Sequence, residues 1–152
     1  MNAVPGIEKI GITTNGIVLP RKLEALQKAG LNQLNISLDT LDPDKFTEIT
    51  RRNGFQRVIQ SIDLAIELGF DPVKINCVVM RGMNESEILD FARFTRDRSV
   101  DVRFIEYMPF DGNQWNDSKM VSYQEMLDTI RSEFTLERVE DLPNDTAKSR
   151  FN

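Results

Sequence analysis

The sequence contains no histidine and only one cysteine, Cys77, among its 152 residues. A zinc site built on histidine and cysteine, or a Ser-His-Asp triad, therefore cannot be assembled from these residues. A lone thiol forms no internal disulfide, which excludes a disulfide-stapled secreted scaffold. It also cannot hold an iron–sulfur cluster, which needs several thiolates. These absences exclude many of the common classes of enzyme.

Long apolar runs and an excess of positive charge are also missing. No stretch approaches the roughly 20 apolar residues that a membrane helix needs. The first ten residues, MNAVPGIEKI, lack the basic and apolar sections of a secretory signal. The net charge of -5 argues against wholesale nucleic-acid binding, while a local basic pocket for one small anion is compatible with it. We therefore expect no membrane partner and no nucleic-acid partner.

What is present is an alternation of strand and helix patterns that repeats four times. Such alternation indicates parallel strands joined by right-handed crossovers. Asp42 is predicted to cap a short helix with Pro43 in its first turn, and Asn84 is predicted to cap a later helix together with Glu87. The predicted strands cover 9–14, 33–39, 73–79 and 100–107, and the predicted helices cover 21–30, 42–51, 55–68, 85–97 and 122–134.

The predicted strands carry polar residues on one of their two faces. In the second strand these are Asn35, Ser37 and Asp39, and in the third they are Lys74 and Asn76. Helices cover both faces of an open doubly wound sheet, so its strands are apolar on both sides. A polar face instead indicates an internal lumen, and the pattern favours an incomplete (β/α) barrel over the doubly wound alternative.

Two basic residues, Lys74 and Arg103, lie on these polar faces. An uncompensated buried cation costs several kcal/mol, so each needs a partner. Internal carboxylates such as Asp39 and Asp101 are one solution, and an anionic ligand is the other. Hydroxyl and amide groups near neighbouring strand ends, where parallel barrels place their chemistry, favour a ligand that bears phosphate.

Four segments of the sequence, taken together, resemble the MoaA-type radical-SAM GTP 3′,8-cyclases, which make the first intermediate of molybdenum-cofactor synthesis. The segments are TTNG at 13–16, LNISLDTLDPDKF at 34–46, VKINCVVMRGMNESE at 73–87 and DVRFIEYMPFDGNQWN at 101–116. The last is most similar to the eukaryotic, mitochondrial branch. The resemblance is collinear from residue 7 to residue 134. It implies an α/β fold, a partial (β/α) barrel of the radical-SAM type with parallel strands, truncated at both ends.

The resemblance also implies two segments within the chain and a cellular location for the whole protein. Residues 1–135 would form the central part of the barrel, and residues 136–152 would be a tail leading toward a C-terminal region that the sequence does not include. The implied location is the mitochondrial matrix, although no targeting segment is present, and otherwise the cytoplasm. Full-length members of the family are often homodimeric.

The resemblance also implies a reaction and a set of binding residues. A radical generated from S-adenosylmethionine (SAM) abstracts a hydrogen from the ribose of GTP, and the ribose carbon then attacks C8 of guanine. Thr13 would contact GTP, Lys74 would bind its triphosphate, and Arg103 would assist. Ser37 would hydrogen-bond SAM and Met108 would line its adenine. Met108 differs from Arg103 in strand parity, so the chain is expected to turn before it.

Two 4Fe-4S clusters belong to the family, and neither set of three cysteines that ligates them occurs in this sequence. The isolated chain is therefore expected to have no cyclase activity. Its unpaired strand edges are expected to favour association. Cys77 is interpreted as a small buried apolar residue without a metal role.

Two other functions remain open at this point. An aldolase-like barrel enzyme would use Lys74 to form a Schiff base with a carbonyl substrate. A non-catalytic binding module would instead use the loop 109–119, in which Trp115 could anchor a partner or could simply pack the loop onto the barrel.

Overall fold

The computed structural model describes residues 5–108, 117–139 and 150–151. Its main sheet contains β1 (Gly11–Thr14), β2 (Gln33–Ser37), β3 (Val73–Val79) and β4 (Val100–Glu106). The helices are α1 (Leu23–Lys28), α2 (Pro43–Thr50), α3 (Phe55–Glu67), α4 (Ile88–Arg96) and α5 (Tyr123–Arg131). Short 3-10 turns cover Leu19–Arg21, Glu85–Glu87 and Asp117–Lys119, and a separate antiparallel pair joins β5 (Arg138–Val139) to β6 (Arg150–Phe151).

The order of the parallel strands decides between the two predicted architectures. The four strands lie side by side as β1-β2-β3-β4, the order in which they occur in the chain. Right-handed crossovers that always step in one direction place every connecting helix on the same face. A doubly wound sheet needs a reversal of strand order to cover its second face, and this sheet has none among the described residues. The predicted α/β parallel fold is confirmed, and the singly wound order is that of a barrel segment.

The helix-covered face of the sheet is the core of the protein. Val73, Ile75 and Val79 of β3 are buried there, and α3 contributes Val58 and Ile62 from its apolar stripe. Each such side chain contributes about 1.5–3 kcal/mol to folding through removal of apolar surface from water. On the same face, Phe91 of α4 packs edge-to-face on Phe104 of β4, with ring centroids 6.1 Å apart. The apolar residues at alternate strand positions thus determine which face of the sheet the helices cover.

The TTNG turn after β1 is fixed against α3. Gly16 adopts φ +75°, and a Cβ there would lie 3.3 Å from both Ile36 Cγ2 and Val58 Cγ1. The buried hydroxyl of Ser61 donates to the Gly16 carbonyl oxygen at 2.7 Å. Glycine is therefore required for two reasons, a left-handed backbone and close packing. The turn holds the end of β1, with Thr13, in a defined position.

The helix caps only partly follow the predictions. Asp42 caps α2 as predicted, accepting the N–H groups of Asp44 at 2.8 Å and Lys45 at 3.1 Å. The predicted capping role of Asn84 and Glu87 is wrong. Neither side chain bonds to the N–H groups of the helix that it precedes. The Asn84 side chain bonds to the end of β3, and the Glu87 carboxylate bonds to the loop after β2. A capping box does occur in the chain, but at the start of α5, where Ser122 and Glu125 bond reciprocally.

Two further predictions concern segments away from the sheet. Trp115 lies outside the described residues, so the structure does not address its role. The division at residue 135 also stays a prediction, and within the predicted tail the β5–β6 pair was not foreseen. Over the described ranges, no helix has the length and apolar character needed to cross a membrane.

Candidate ligand-binding face

Polar side chains of four neighbouring strands meet on the sheet face that the helices leave uncovered. The parallel register aligns them in two rows, which together define the polar face. The first row is Thr13, Asn35, Lys74 and Asp101, and the second row is Ser37, Asn76 and Arg103. Strands are spaced by about 4.8 Å and alternate residues by roughly 6.7 Å, so both rows fit within one small-molecule site. Every residue of both rows is half-buried or exposed.

The first row is linked at its β1 end. The Asn35 side-chain amide donates to the Thr13 hydroxyl oxygen over 3.3 Å. Thr13 keeps its own hydroxyl proton as a donor toward a ligand, because a hydroxyl oxygen can accept and donate together. Sequence reasoning placed Asn35 on this face without assigning it to the site.

Lys74 is half-buried in the middle of the first row. Within residues 5–108 and 117–139 it takes part in no ion pair, although Asp101 is its directly paired neighbour on β4. Arg103 lies one row further toward the strand ends, opposite Asn76. The strand spacings put the Lys74 and Arg103 Cα atoms roughly 8 Å apart, a span that a chain of linked phosphates can bridge.

Asp39, one of the two carboxylates considered as partners for Lys74, forms no ion pair with it among the described residues. Its Oδ1 accepts the backbone N–H of Val78 at 2.9 Å, and its carbonyl oxygen accepts the Asn84 side-chain amide at 2.6 Å. Burial raises the pKa of the Asp39 carboxyl, and the bond from the Val78 N–H partly offsets that rise. Asp39 is thus part of the loop architecture at the end of β2.

The two residues assigned to SAM by resemblance lie at opposite sides of the polar face. Ser37 is exposed at the end of β2, opposite Asn76 of β3. Met108 follows the last residue of β4, Glu106, by two positions and is 60% exposed. Because Met108 lies outside β4, strand parity does not fix its side-chain direction, and the turn expected before it stays a prediction. Whether these two residues contact SAM stays a prediction.

Cys77 lies on the opposite, helix-covered face and is 2% exposed. Its Sγ is 3.7 Å from the Asp39 carbonyl oxygen, and burial raises the pKa of the thiol far above its ordinary value. No cluster of three or more histidine, cysteine, aspartate or glutamate residues suited to a metal ion occurs in the described part of the chain. With one cysteine, the residues of this chain do not fit an iron–sulfur cluster, which needs several thiolates.

Sequence reasoning missed a buried polar cluster beside this face. Thr40, Asn84 and Glu87 are all nearly inaccessible to water, at 0%, 2% and 7% exposure. The Asn-x-x-Glu spacing predicts a helix cap, so the sequence pattern does not indicate that Asn84 and Glu87 bond to another loop. A buried position for Thr40, directly after an apolar strand, was the available signal.

Comparison with known proteins places the chain in a family. Residues 2–95 match the model of the Radical SAM superfamily. The chain is 59% identical over 150 residues to molybdenum cofactor biosynthesis protein 1 of Homo sapiens, covering 98% of this chain and 24% of that protein. It is 53% identical over 150 residues to a mitochondrial GTP 3′,8-cyclase of Arabidopsis thaliana, covering 98% and 38%. It is 44% identical over 141 residues to a GTP 3′,8-cyclase of Alkaliphilus oremlandii, covering 92% and 44%.

The chain thus spans between about a quarter and under half of these relatives, at 24%, 38% and 44% of their lengths. A radical SAM methyltransferase from Sphaerobacter thermophilus superposes with a TM-score of 0.64 at 18% identity, over 81% of this chain and 37% of that one. The structure of TYW1 with a bound lysine-pyruvate adduct superposes with a TM-score of 0.60 at 19% identity, over 88% and 44%. These two likenesses support the fold alone. The predicted resemblance to the MoaA type is confirmed by the sequence identities, and the chain belongs to the Radical SAM superfamily.

Proposed function

We propose that this chain is a segment of a GTP 3′,8-cyclase of molybdenum-cofactor synthesis and that its polar face contacts GTP and SAM. The observation that carries the proposal is the alignment of Thr13, Ser37, Lys74 and Arg103 in two adjacent rows, on the sheet face opposite the described helices. The names of the Arabidopsis and Alkaliphilus relatives supply the reaction.

Binding of the triphosphate is assigned to the two cations. The Lys74 ammonium and the Arg103 guanidinium would donate charge-assisted hydrogen bonds to phosphate oxygens, and the Thr13 hydroxyl would add a neutral one. A half-buried ammonium without an ion-pair partner among residues 5–108 and 117–139 supports an anionic ligand, since that ligand would supply the missing charge.

Binding of SAM is assigned to Ser37 and Met108, at the ends of β2 and β4. When bound, SAM supplies the group that takes a hydrogen from the ribose of GTP. The 4Fe-4S clusters, two in the whole protein, would be held by residues outside this sequence, because it has a single, buried cysteine. For the whole protein we also propose a homodimer and, from the name of the Arabidopsis relative, a mitochondrial location.

The experiment that tests the anion site is titration of the chain with inorganic tripolyphosphate, followed by calorimetry. Lys74→Met is expected to weaken binding about tenfold or more, since a charge-assisted contact is lost. Added salt should weaken wild-type binding, because the contact is electrostatic. The matched control is Lys28→Met, which removes an exposed lysine of α1 and should leave the affinity unchanged. Equal affinities of wild type and a folded Lys74→Met variant would contradict the proposal.

The Schiff-base alternative is separated by a second measurement on the same protein. The chain is incubated with pyruvate or other 2-oxo acids and borohydride, and its mass is determined. The anion-site proposal predicts no adduct, whereas a reduced adduct mapped to Lys74 would favour the aldolase-like function.

A further inference from the structure

The connector between β3 and α4 sends two buried polar side chains across to the loop that follows β2. Asn84 and Glu87 are 2% and 7% exposed. Burial of an amide and a carboxylate is costly unless their hydrogen-bonding capacity is used. Both are used, and almost all of their partners belong to the ends of β2 and β3.

Asn84 closes the end of β3. Its Oδ1 accepts the Met80 N–H at 2.7 Å, and its Nδ2 donates to the carbonyl oxygens of Val78 at 2.8 Å and Asp39 at 2.6 Å. The first two bonds are local to β3 and its turn. The third crosses to the residue that lies two positions after Ser37, so Asn84 ties the two strand ends together.

The Glu87 carboxylate binds the segment after β2. Its carboxylate accepts the Thr40 hydroxyl at 2.8 and 2.9 Å, the Leu41 N–H at 2.7 Å and the Lys45 ammonium at 2.5 Å. The bond to Glu87 also raises the pKa of Lys45 above its ordinary value. Three donors from six consecutive residues therefore meet one buried carboxylate.

These contacts occur where the sheet can no longer set the spacing of β2 and β3. The last sheet-like bond between the β2 and β3 segments runs from the Leu38 N–H to the Asn76 carbonyl oxygen at 3.0 Å. Beyond Leu38 the chain leaves the sheet to enter α2, while β3 continues to Val79. Leu38 and Asp39 are still bonded to β3, through the Leu38 N–H and through the Asp39 carboxylate on the Val78 N–H. From Thr40 onward the chain is instead held by the Glu87 carboxylate of the neighbouring connector.

We propose that Glu87 is a positioning residue for the polar face. By holding Thr40, Leu41 and Lys45, it fixes the end of β2, and with it Ser37, relative to the side chains of β3 and β4. A ligand that contacts Ser37 together with later strands then depends on Glu87, although Glu87 does not touch it. A ligand held by Lys74 and Arg103 alone does not depend on it. The inference rests on the proposed function for the identity of its two ligands.

The test compares the two ligands in the full chain with Glu87→Gln. A glutamine keeps one acceptor oxygen but directs N–H groups at donors that now lack an acceptor. We expect SAM binding to weaken about tenfold, from loss of hydrogen bonds to a charged group. Tripolyphosphate binding should stay within twofold of wild type. By NMR, the Leu41 amide proton should exchange with solvent faster in the variant.

The matched control is Glu85→Gln. Glu85 lies in the same 3-10 turn and also accepts two N–H groups, from Gly82 at 2.6 Å and Met83 at 3.0 Å, but both belong to its own loop. Both affinities should therefore match wild type. If Glu87→Gln does not fold, Lys45→Gln replaces it, since that variant removes the positive charge beside Glu87 and keeps the Thr40 and Leu41 bonds. It should weaken SAM binding by a smaller factor.

The outcomes separate this role from the proposed function. Unchanged SAM affinity in a folded Glu87→Gln or Lys45→Gln variant overturns the positioning role, as does an equal loss of both ligands, which indicates general damage. A wild-type chain that binds neither SAM nor tripolyphosphate overturns the proposed function, and the role of Glu87 falls with it.

Discussion

The Asp39 carboxylate accepts the backbone N–H of Val78 at 2.9 Å, so the residue that ends the SLD segment is bound to the neighbouring strand. This bond satisfies a backbone donor of β3 that the sheet does not use. It does not fully compensate for burial of the charge, which is why the pKa of Asp39 lies above its ordinary value.

The raised pKa of Asp39 predicts how stability changes with pH. The folded state binds the proton more tightly than the unfolded state, so the stabilisation from protonation is complete below 3.8 and is lost as pH rises through the folded pKa. Asp39→Asn keeps an acceptor for Val78 without the charge. We expect it to raise the free energy of unfolding at pH 7, with the difference from wild type vanishing in acid.

Urea unfolding of both proteins across the acid range measures this difference. Asp97→Asn is the control, because the Asp97 side chain is 68% exposed and should change the unfolding free energy by less than about 0.5 kcal/mol. An Asp39→Asn variant less stable than wild type at every pH would contradict the prediction.

Burial of Cys77 predicts an inert thiol. In the native chain the reaction with a disulfide reagent should be slower than in urea on the order of 100-fold or more, because the thiol is both inaccessible and protonated. Ser86→Cys adds an exposed thiol as an internal reference and should give one fast and one slow phase. A native Cys77 that reacts as fast as this reference would show that the helix-covered face is open.

The capping box at the start of α5 predicts that removal of the Ser122 hydroxyl lowers the stability of the fold. Ser122→Ala removes the acceptor of the Glu125 N–H and should lower the free energy of unfolding by about 1 kcal/mol.

The Ser122 N–H, with help from Arg81 and the Ser122 hydroxyl, holds the pKa of Glu125 at about 2. A lowered carboxyl pKa stabilises the fold above 4.5 and loses that effect as pH falls toward about 2, so wild-type stability should decrease in acid.

Thermal unfolding measures the effect of the cap. Ser132→Ala is the matched control, since its hydroxyl donates to the Thr129 carbonyl oxygen at the other end of the same helix. Its effect should be below that of Ser122→Ala. Equal effects would mean that the cap contributes no more than an ordinary surface hydroxyl.

The lack of cluster ligands predicts that the isolated chain does not cleave SAM. Given GTP, SAM, iron, sulfide and a reductant without oxygen, it should form no 5′-deoxyadenosine above the buffer control, by liquid chromatography. The full-length Arabidopsis GTP 3′,8-cyclase, under the same conditions, is the positive control. 5′-Deoxyadenosine formed by the chain in proportion to its concentration would overturn the prediction.

The amino-acid sequence determined the fold class and the two faces of each strand. Alternation of Lys74 and Asn76 with Val73 and Ile75 places a polar and an apolar face on β3 whatever its neighbours are, because side-chain direction has a period of two. The four ordered segments likewise identified the family without coordinates.

Tertiary structure alone decided which polar residues meet. Strand order and register place Thr13, 61 positions earlier in the chain, in one row with Lys74, and no local pattern contains that information. The roles of Asn84 and Glu87 were misread for the same reason. A capping motif describes bonds within one helix, whereas the partners of these buried groups lie on another loop, and burial makes those distant bonds the ones that satisfy them.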